Sequence, residues 1–93
     1  MKLLGKQLLS DFKDNYPDAR AQIEAWEAEV EDAGWATPHA LKSRYQKASL
    51  LGDQQVVFDI CGNKYRLLAQ INYKNQIALV KKIGTHKEYD TWT

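Results

Sequence analysis

The stretch VVFDICGNKYRLLAQINYKNQIALVKKI, residues 56–83, decides the fold because it holds three apolar runs separated by turn signals. The first run is rich in branched and aromatic residues, which favour strands, and Gly62-Asn63 after it suits a chain reversal. The runs are spaced as in an antiparallel meander. We therefore predict three strands and two turns, with strands at residues 56–60, 64–72 and 76–83 and turns at Gly62-Asn63 and residues 73–75.

The predicted middle strand has one apolar face and one mixed face, because successive side chains of a strand point to opposite sides. The apolar face contains Tyr65, Leu67, Ala69, Ile71 and Tyr73, and the mixed face contains Lys64, Arg66, Leu68, Gln70 and Asn72. The apolar face should pack on helices and leave the other free to bind a ligand. Lysines often protect sheet edges, but this explanation is weaker for Arg66 in a middle strand.

The N-terminal half of the chain has helical patterns. Apolar residues at helical spacing predict a helix over residues 5–16, which Pro17 ends, and a second helix from Pro17 to a stop at Gly34. Thr37 followed by Pro38 predicts the start of a short helix that continues to about Tyr45. Residues 1–4 could form a short first strand, but the run is too short to assign. These patterns predict one α+β domain over residues 1–93, with the N-terminal helices packed on one face of a small antiparallel sheet.

Composition and charge exclude several classes of protein. No apolar run is long enough to cross a membrane, and Lys6 and Gln7 interrupt the only stretch that resembles a signal peptide. The single cysteine, Cys61, cannot form an internal disulfide, which indicates a reducing cytoplasm. We expect Cys61 to be a buried residue of a strand rather than a nucleophile. One cysteine and two distant histidines supply no ligand set with zinc spacing.

The net charge of +1 conceals an asymmetry along the chain. Residues 1–35 contain four bases and eight acids, a net charge of −4, whereas residues 36–93 contain nine bases and four acids, a net charge of +5. This asymmetry suggests a polyanion or an acidic partner for the second half. The alternative is that the helices are acid-rich and the strands lysine-rich by chance.

The polar stretch GTHKEYD, residues 84–90, follows the cationic strands. His86 can exchange a proton near neutral pH, and Tyr89 would lie beside it if this segment forms a helical turn. Lys81 and Lys82 should point to opposite faces unless a β-bulge intervenes, so only one of them can join Arg66. Trp92 is expected to anchor the tail against the core.

Taken together, these stretches resemble the HigB-type toxins of bacterial type II toxin–antitoxin systems, within the RelE-like ribonuclease superfamily. The resemblance is carried by YPDA, by the tryptophan-bearing second helix followed by TP, by VVFDICGNKYRL and above all by GTHKEYD, over essentially the whole length. It implies a RelE-like fold and a metal-independent, cofactor-free mRNA interferase that cuts translated messages on the ribosome. It also implies cytoplasmic action and inhibition by a cognate HigA-type helix-turn-helix antitoxin.

The resemblance also assigns roles to residues. The family's strand motif GN-x-x-R matches here, which makes Arg66 the residue that stabilises the phosphate and places Asn63 and Lys64 in RNA binding, together with Lys82. His86 matches the family's Thr-His and is expected to be a general acid or base, with Tyr89 orienting it or stacking on a nucleobase. Lys81 stands where the family usually has arginine and is expected to assist catalysis.

The alternative function is a non-catalytic RelE-like module that acts only through a protein partner. Two departures from the family's pattern favour it. Lys81 keeps the positive charge of the usual arginine but loses its bidentate contacts, and the near-neutral net charge differs from the strongly basic character of ribosome-targeting relatives.

Overall fold

The computed structural model of the chain describes residues 1–92. Its elements follow one another in the order of an N-terminal strand, three helices, four strands and a short C-terminal helix. The helices are α1 (Lys6–Asn15), α2 (Arg20–Asp32), α3 (Pro38–Arg44) and α4 (His86–Tyr89), and a 3₁₀ turn at Pro17–Ala19 precedes α2. The strands are β1 (Lys2–Leu4), β2 (Ser49–Leu50), β3 (Gln55–Ile60), β4 (Tyr65–Asn72) and β5 (Ile77–Thr85).

The five strands form one sheet in the order β1-β5-β4-β3-β2. The antiparallel meander β3-β4-β5 confirms the predicted strand pairing, and β4 lies at the centre of the sheet. β1 pairs with β5 in parallel, with Leu3 opposite Ala78, so the sheet is mixed rather than purely antiparallel. The α+β class is confirmed. The parallel pairing of β1 with β5 was not predicted, because the two strands are distant in sequence.

The predicted apolar face of β4 is the inner face of the sheet. Its five residues are all buried and join the helices in one hydrophobic core. Trp26 of α2 meets Phe58 of β3 at a ring separation of 5.3 Å, which places α2 directly over the sheet. Phe12 of α1 packs at 5.2 Å against Tyr65 of β4. The helices therefore cover one face and leave the Arg66 face uncovered by α1 and α2.

The helix boundaries differ from the predicted ones by a few residues. Thr37 caps α3 as predicted, since its side chain accepts a hydrogen bond from the Ala40 amide at 3.1 Å. α2 begins only after a 3₁₀ turn and ends at Asp32, because Ala33 is already extended. Leu8, at helical spacing in α1, is 42% exposed.

The turns and the bounds of β5 correct several further expectations. Cys61 lies in the β3–β4 turn, not in a strand, and is only half-buried. Burial, the largest cause, raises the pKa of its thiol, which keeps the sulfur protonated at neutral pH. The turn spans residues 61–64 and so takes Lys64 out of β4. Gln76 likewise belongs to the β4–β5 turn, and β5 extends to Thr85, two residues further than predicted.

Gly5 makes the tight junction between β1 and α1. Its φ is +82°, a conformation that side chains disfavour, and a Cβ added there would lie 2.6 Å from the Val80 carbonyl oxygen of β5. The close approach of this junction to β5 therefore depends on glycine. None of the helices within residues 1–92 has the length and apolar character required to cross a bilayer.

Candidate functional site

Arg66 lies on the outer face of the sheet and is held by groups from the neighbouring turn and strand. Its guanidinium donates to the Asn63 carbonyl at 2.9 Å and lies 3.3 Å from the Asp59 carboxylate. Asp59 is its direct partner in the β3–β4 register. The Arg66 side chain is 13% exposed, so the surrounding groups fix its position while part of the fork stays accessible.

The segment after β5 folds back as α4. The Thr85 hydroxyl accepts from the Glu88 amide at 3.2 Å, and the Glu88 carboxylate accepts from the Thr85 amide at 2.9 Å, which forms a capping box. Gly84 pairs with Arg66 across the sheet, and a Cβ there would lie 3.2 Å from the Glu88 side chain. The absence of a side chain at Gly84 therefore lets α4 lie close to the sheet end that carries Arg66.

A chain of aromatic and cationic side chains joins α4 to the sheet. The Arg66 guanidinium carbon lies 5.6 Å from the centre of the Tyr89 ring. Trp92 meets Tyr89 at a ring separation of 5.6 Å, and the Lys82 ammonium lies 5.7 Å from the Trp92 ring. These distances are typical of cation–π and edge-to-face contacts. Trp92 therefore packs on the outer face, on Tyr89 and Lys82, and not on the core between helices and sheet.

His86 reaches this cluster through Tyr89. The segment forms the helical turn that this contact requires, the two rings are 6.4 Å apart, and the imidazole is half-exposed. Its Nδ1 lies 3.8 Å from the Asp90 carboxylate, so Asp90 is placed to orient the ring. His86 and Arg66 consequently belong to one cluster, with Tyr89 between them.

A β-bulge in β5 gives its two adjacent lysines, Lys81 and Lys82, different positions relative to β4. Lys82 pairs with Leu68 and Val80 with Ala69, which leaves Lys81 as the extra, unpaired residue. Paired residues share a face, so Lys82 is on the same face as Arg66. Both lysines are exposed, and within the described chain Lys81 has no ion-pair partner.

Lys64 is not brought to Arg66, contrary to its predicted place on the mixed face. Its ammonium bonds to the Asp18 carboxylate at 2.8 Å, and the Tyr65 hydroxyl donates to the same carboxylate at 2.9 Å. The hydrogen bond from Lys64 and then that from Tyr65 lower the pKa of Asp18. Strand alternation did not apply to Lys64 because it lies in the turn.

A groove opens beside Arg66, between the end of α3 with the chain that follows it and the end of the β3–β4 hairpin. It has a volume of about 820 Å³ and is lined by residues 44–48, Phe58, Asp59, Gly62, Asn63 and Arg66. The sequence interpretation missed this groove and the Asp59 partner of Arg66. The predicted Gly62-Asn63 turn already implied that Asp59 stands opposite Arg66, since a hairpin turn fixes the register.

Metal ligands do not cluster in the part of the chain that the structure describes: no three histidine, cysteine, aspartate or glutamate side chains converge between residues 1 and 92.

Comparison with known proteins agrees with the resemblance. The chain is 26% identical over 95 residues to an Escherichia coli K12 protein named mRNA interferase toxin HigB, with 100% of this chain and 91% of the relative covered. It is equally similar to the mRNA interferase HigB of Shigella flexneri, and 24% identical to that of Escherichia coli O6:H1 over 92% of the relative. A family model described as HigB_toxin, RelE-like toxic component of a toxin-antitoxin system, matches residues 19–92, which include β2–β5 and α4. The chain therefore belongs to the HigB toxin family, the RelE-like toxic component of a toxin–antitoxin system.

Proposed function

We propose that this toxin is an endoribonuclease that cleaves messenger RNA while it is being translated on the ribosome. The observation that supports this most directly is the fixed Arg66 guanidinium, which lies 5.6 Å from the Tyr89 ring in the same cluster as His86. A phosphate-binding fork and a proton-transfer group serve RNA cleavage, and an aromatic ring can stack on a nucleobase of the bound RNA. The names of the relatives, mRNA interferase HigB, favour the same activity.

The proposed reaction takes its nucleophile from the RNA. The 2′-hydroxyl loses its proton to a base and attacks the adjacent phosphorus, and the bond from phosphorus to the 5′-oxygen of the next nucleotide breaks. The leaving oxygen gains a proton, so the products are a 2′,3′-cyclic phosphate and a 5′-hydroxyl. Side chains supply the acid, the base and the cations that stabilise the additional charge on the phosphorane.

Each residue of the cluster has a proposed role in that reaction. Arg66 stabilises the phosphorane, because its fork presents several donors in one plane. His86 is the general acid or base, and its exposed ring leaves room for a substrate beside it. Tyr89 positions His86 and offers a ring for a nucleobase. Lys81 and Lys82 contribute positive charge along the RNA, and Lys82 does so on the same face as Arg66.

The proposed partners follow from the family. A toxic component of a toxin–antitoxin system has an antitoxin partner, and we propose that it is a HigA-type helix-turn-helix protein. Ribosomes and messenger RNA are the proposed targets, which places the action in the cytoplasm. The positive charge of residues 36–93 fits an RNA-rich target.

The test is to map RNA 5′-hydroxyl ends in cells after the toxin is induced without antitoxin. We expect new ends inside translated messages, and none in a message whose start codon has been removed. Arg66→Ala should abolish these ends. Growth arrest by the wild-type protein without any new ends would reject the nuclease and support the alternative, a RelE-like module that acts only through a protein partner.

A further inference from the structure

The groove beside Arg66 has two walls of different composition. One wall is the C-terminal end of α3 with the segment after it, where Arg44 and Lys47 are exposed. The other is the end of the β3–β4 hairpin, with Gly62, Asn63 and Arg66. The groove is therefore continuous with the proposed phosphate site, because Arg66 lines it.

One side of the groove is the part of β3 that β2 does not cover. β2 pairs only with Val56 and Val57, so β3 has a strand neighbour on one side only from Phe58 onward. A nucleobase or a ribose could bond to the backbone along this uncovered edge of β3. Tyr45, whose ring packs 5.1 Å from the buried Phe58, is half-buried and adds part of an aromatic ring to the lining.

The charges around the groove favour an anionic ligand. Three cations, Arg44, Arg66 and Lys47, line it, against the single carboxylate of Asp59. Arg44 is paired with Glu29 at 2.5 Å, and Arg66 with Asp59 at 3.3 Å. Lys47 has no ion-pair partner within residues 1–92, so its charge is available to a ligand.

We propose that this groove binds a nucleotide of single-stranded RNA that flanks the scissile bond, with Lys47 on its phosphate. The proposal rests on the proposed nuclease function and extends it. The RNA would cross Arg66, with one nucleotide in the groove and the next beside Tyr89 and His86. Lys47 is then a binding residue, whereas Arg66 acts on the reacting phosphate.

RNA suits this groove better than a protein strand does. Strand addition to a sheet edge needs a run of free backbone groups, and here only the three residues from Phe58 to Ile60 are free of β2. A nucleotide needs few backbone contacts but a cation for its phosphate and room for a ring, both of which are present.

The first experiment is an NMR titration of the ¹⁵N-labelled protein. The probe is a 2′-deoxy trinucleotide randomised at every position, which cannot be cleaved because it lacks the attacking hydroxyl. We expect the amides of Gln46, Lys47, Gly62 and Asn63 to shift, together with those of α4. Shifts confined to α4, or no shifts at millimolar probe, would overturn the proposal.

The second experiment compares Lys47→Gln with Lys74→Gln. Lys74 is also an exposed lysine without an ion-pair partner among residues 1–92, but it lies in the β4–β5 turn at the opposite end of β4. Lys47→Gln should weaken probe binding about three- to tenfold and reduce the slope of log affinity against log salt by about 0.7, the value for one phosphate contact. Lys74→Gln should change neither. Equal behaviour of the two variants would contradict the groove assignment.

Two further outcomes separate this proposal from the proposed function. If wild-type toxin generates new message ends but the probe leaves the groove amides unchanged, only the groove assignment fails. If purified cognate antitoxin shifts those amides and the probe does not, the groove is a protein-binding surface. Absence of message ends with the wild-type protein would overturn the nuclease and the groove assignment together.

Discussion

Replacement of Arg66 tests whether its guanidinium acts in catalysis or only holds the hairpin. Arg66→Ala removes the 2.9 Å bond to the Asn63 carbonyl and the 3.3 Å contact with Asp59. A hydrogen bond from a charged group contributes about 1.5–3 kcal/mol to stability. The Asp59 side chain is 25% exposed, so water replaces part of that contact, and we expect a loss of about 1–2 kcal/mol. A domain of this size tolerates such a loss and stays folded.

The expected effect on cleavage is larger than the effect on stability. Removing one donor that stabilises developing charge in a transition state slows reactions about 10²–10³-fold, or about 2.7–4 kcal/mol. Arg66→Lys keeps the charge without the planar fork and should fall between alanine and wild type. The assay counts 5′-hydroxyl ends per message at matched toxin levels. Chemical denaturation of the purified variants measures the free energy of unfolding.

A double variant separates the two effects. Arg66→Ala leaves the Asp59 carboxylate without its partner, so Arg66→Ala with Asp59→Asn should regain part of the lost stability. It should regain no cleavage, since the missing group is the guanidinium. If Arg66→Ala cleaves within about threefold of wild type, Arg66 has no role in the reaction. If the double variant regains cleavage along with stability, the residue is structural.

Three further changes test how the rest of the fold supports the site. Thr85→Val removes the N-cap acceptor of α4, which should cost about 1 kcal/mol locally, and faster amide hydrogen exchange in α4 with the same global stability would show it. Gly5→Ala should lower the free energy of unfolding by about 1–3 kcal/mol or more, because its Cβ meets the Val80 carbonyl; unchanged denaturant midpoints would contradict this. The hydrogen bond from Lys64 lowers the pKa of Asp18 in the folded state, so the stability that this carboxylate adds is present above its unfolded pKa and lost as pH falls through the folded one. Asp18→Asn should therefore destabilise the protein at pH 7 and progressively less under acid, in denaturation curves recorded across that range.

The features that local sequence determines were predictable. The alternation along residues 65–73 gave the buried face of β4, and the Thr37 cap placed the start of α3. GTHKEYD contains both partners of a capping box, Thr85 and Glu88, which start the helical turn α4 that a Tyr89–His86 contact requires. Each of these depends on neighbours within a few residues.

The features that depend on distant pairing were not predictable in the same way. β1 forms because its three residues pair with β5, with Leu4 opposite Leu79. The bulge at Lys81 depends on how β5 aligns with β4, and strict alternation could not reveal it. The predicted position of Lys64 was wrong because this residue lies in the turn and not in β4. Its ammonium forms an ion pair with the Asp18 carboxylate instead.

The proposed site combines a fixed part with a part that has few contacts to the rest of the fold. Arg66 sits in the central strand, where the Asn63 carbonyl and Asp59 hold it. His86 and Tyr89 sit on a four-residue helix, which is too short to be stable alone and depends on its cap and on contacts with the sheet. RNA that binds across Arg66 and Tyr89 would contact both parts, so its binding energy would order α4 against the sheet. Catalysis should therefore be more sensitive than global stability to the capping box and to Trp92.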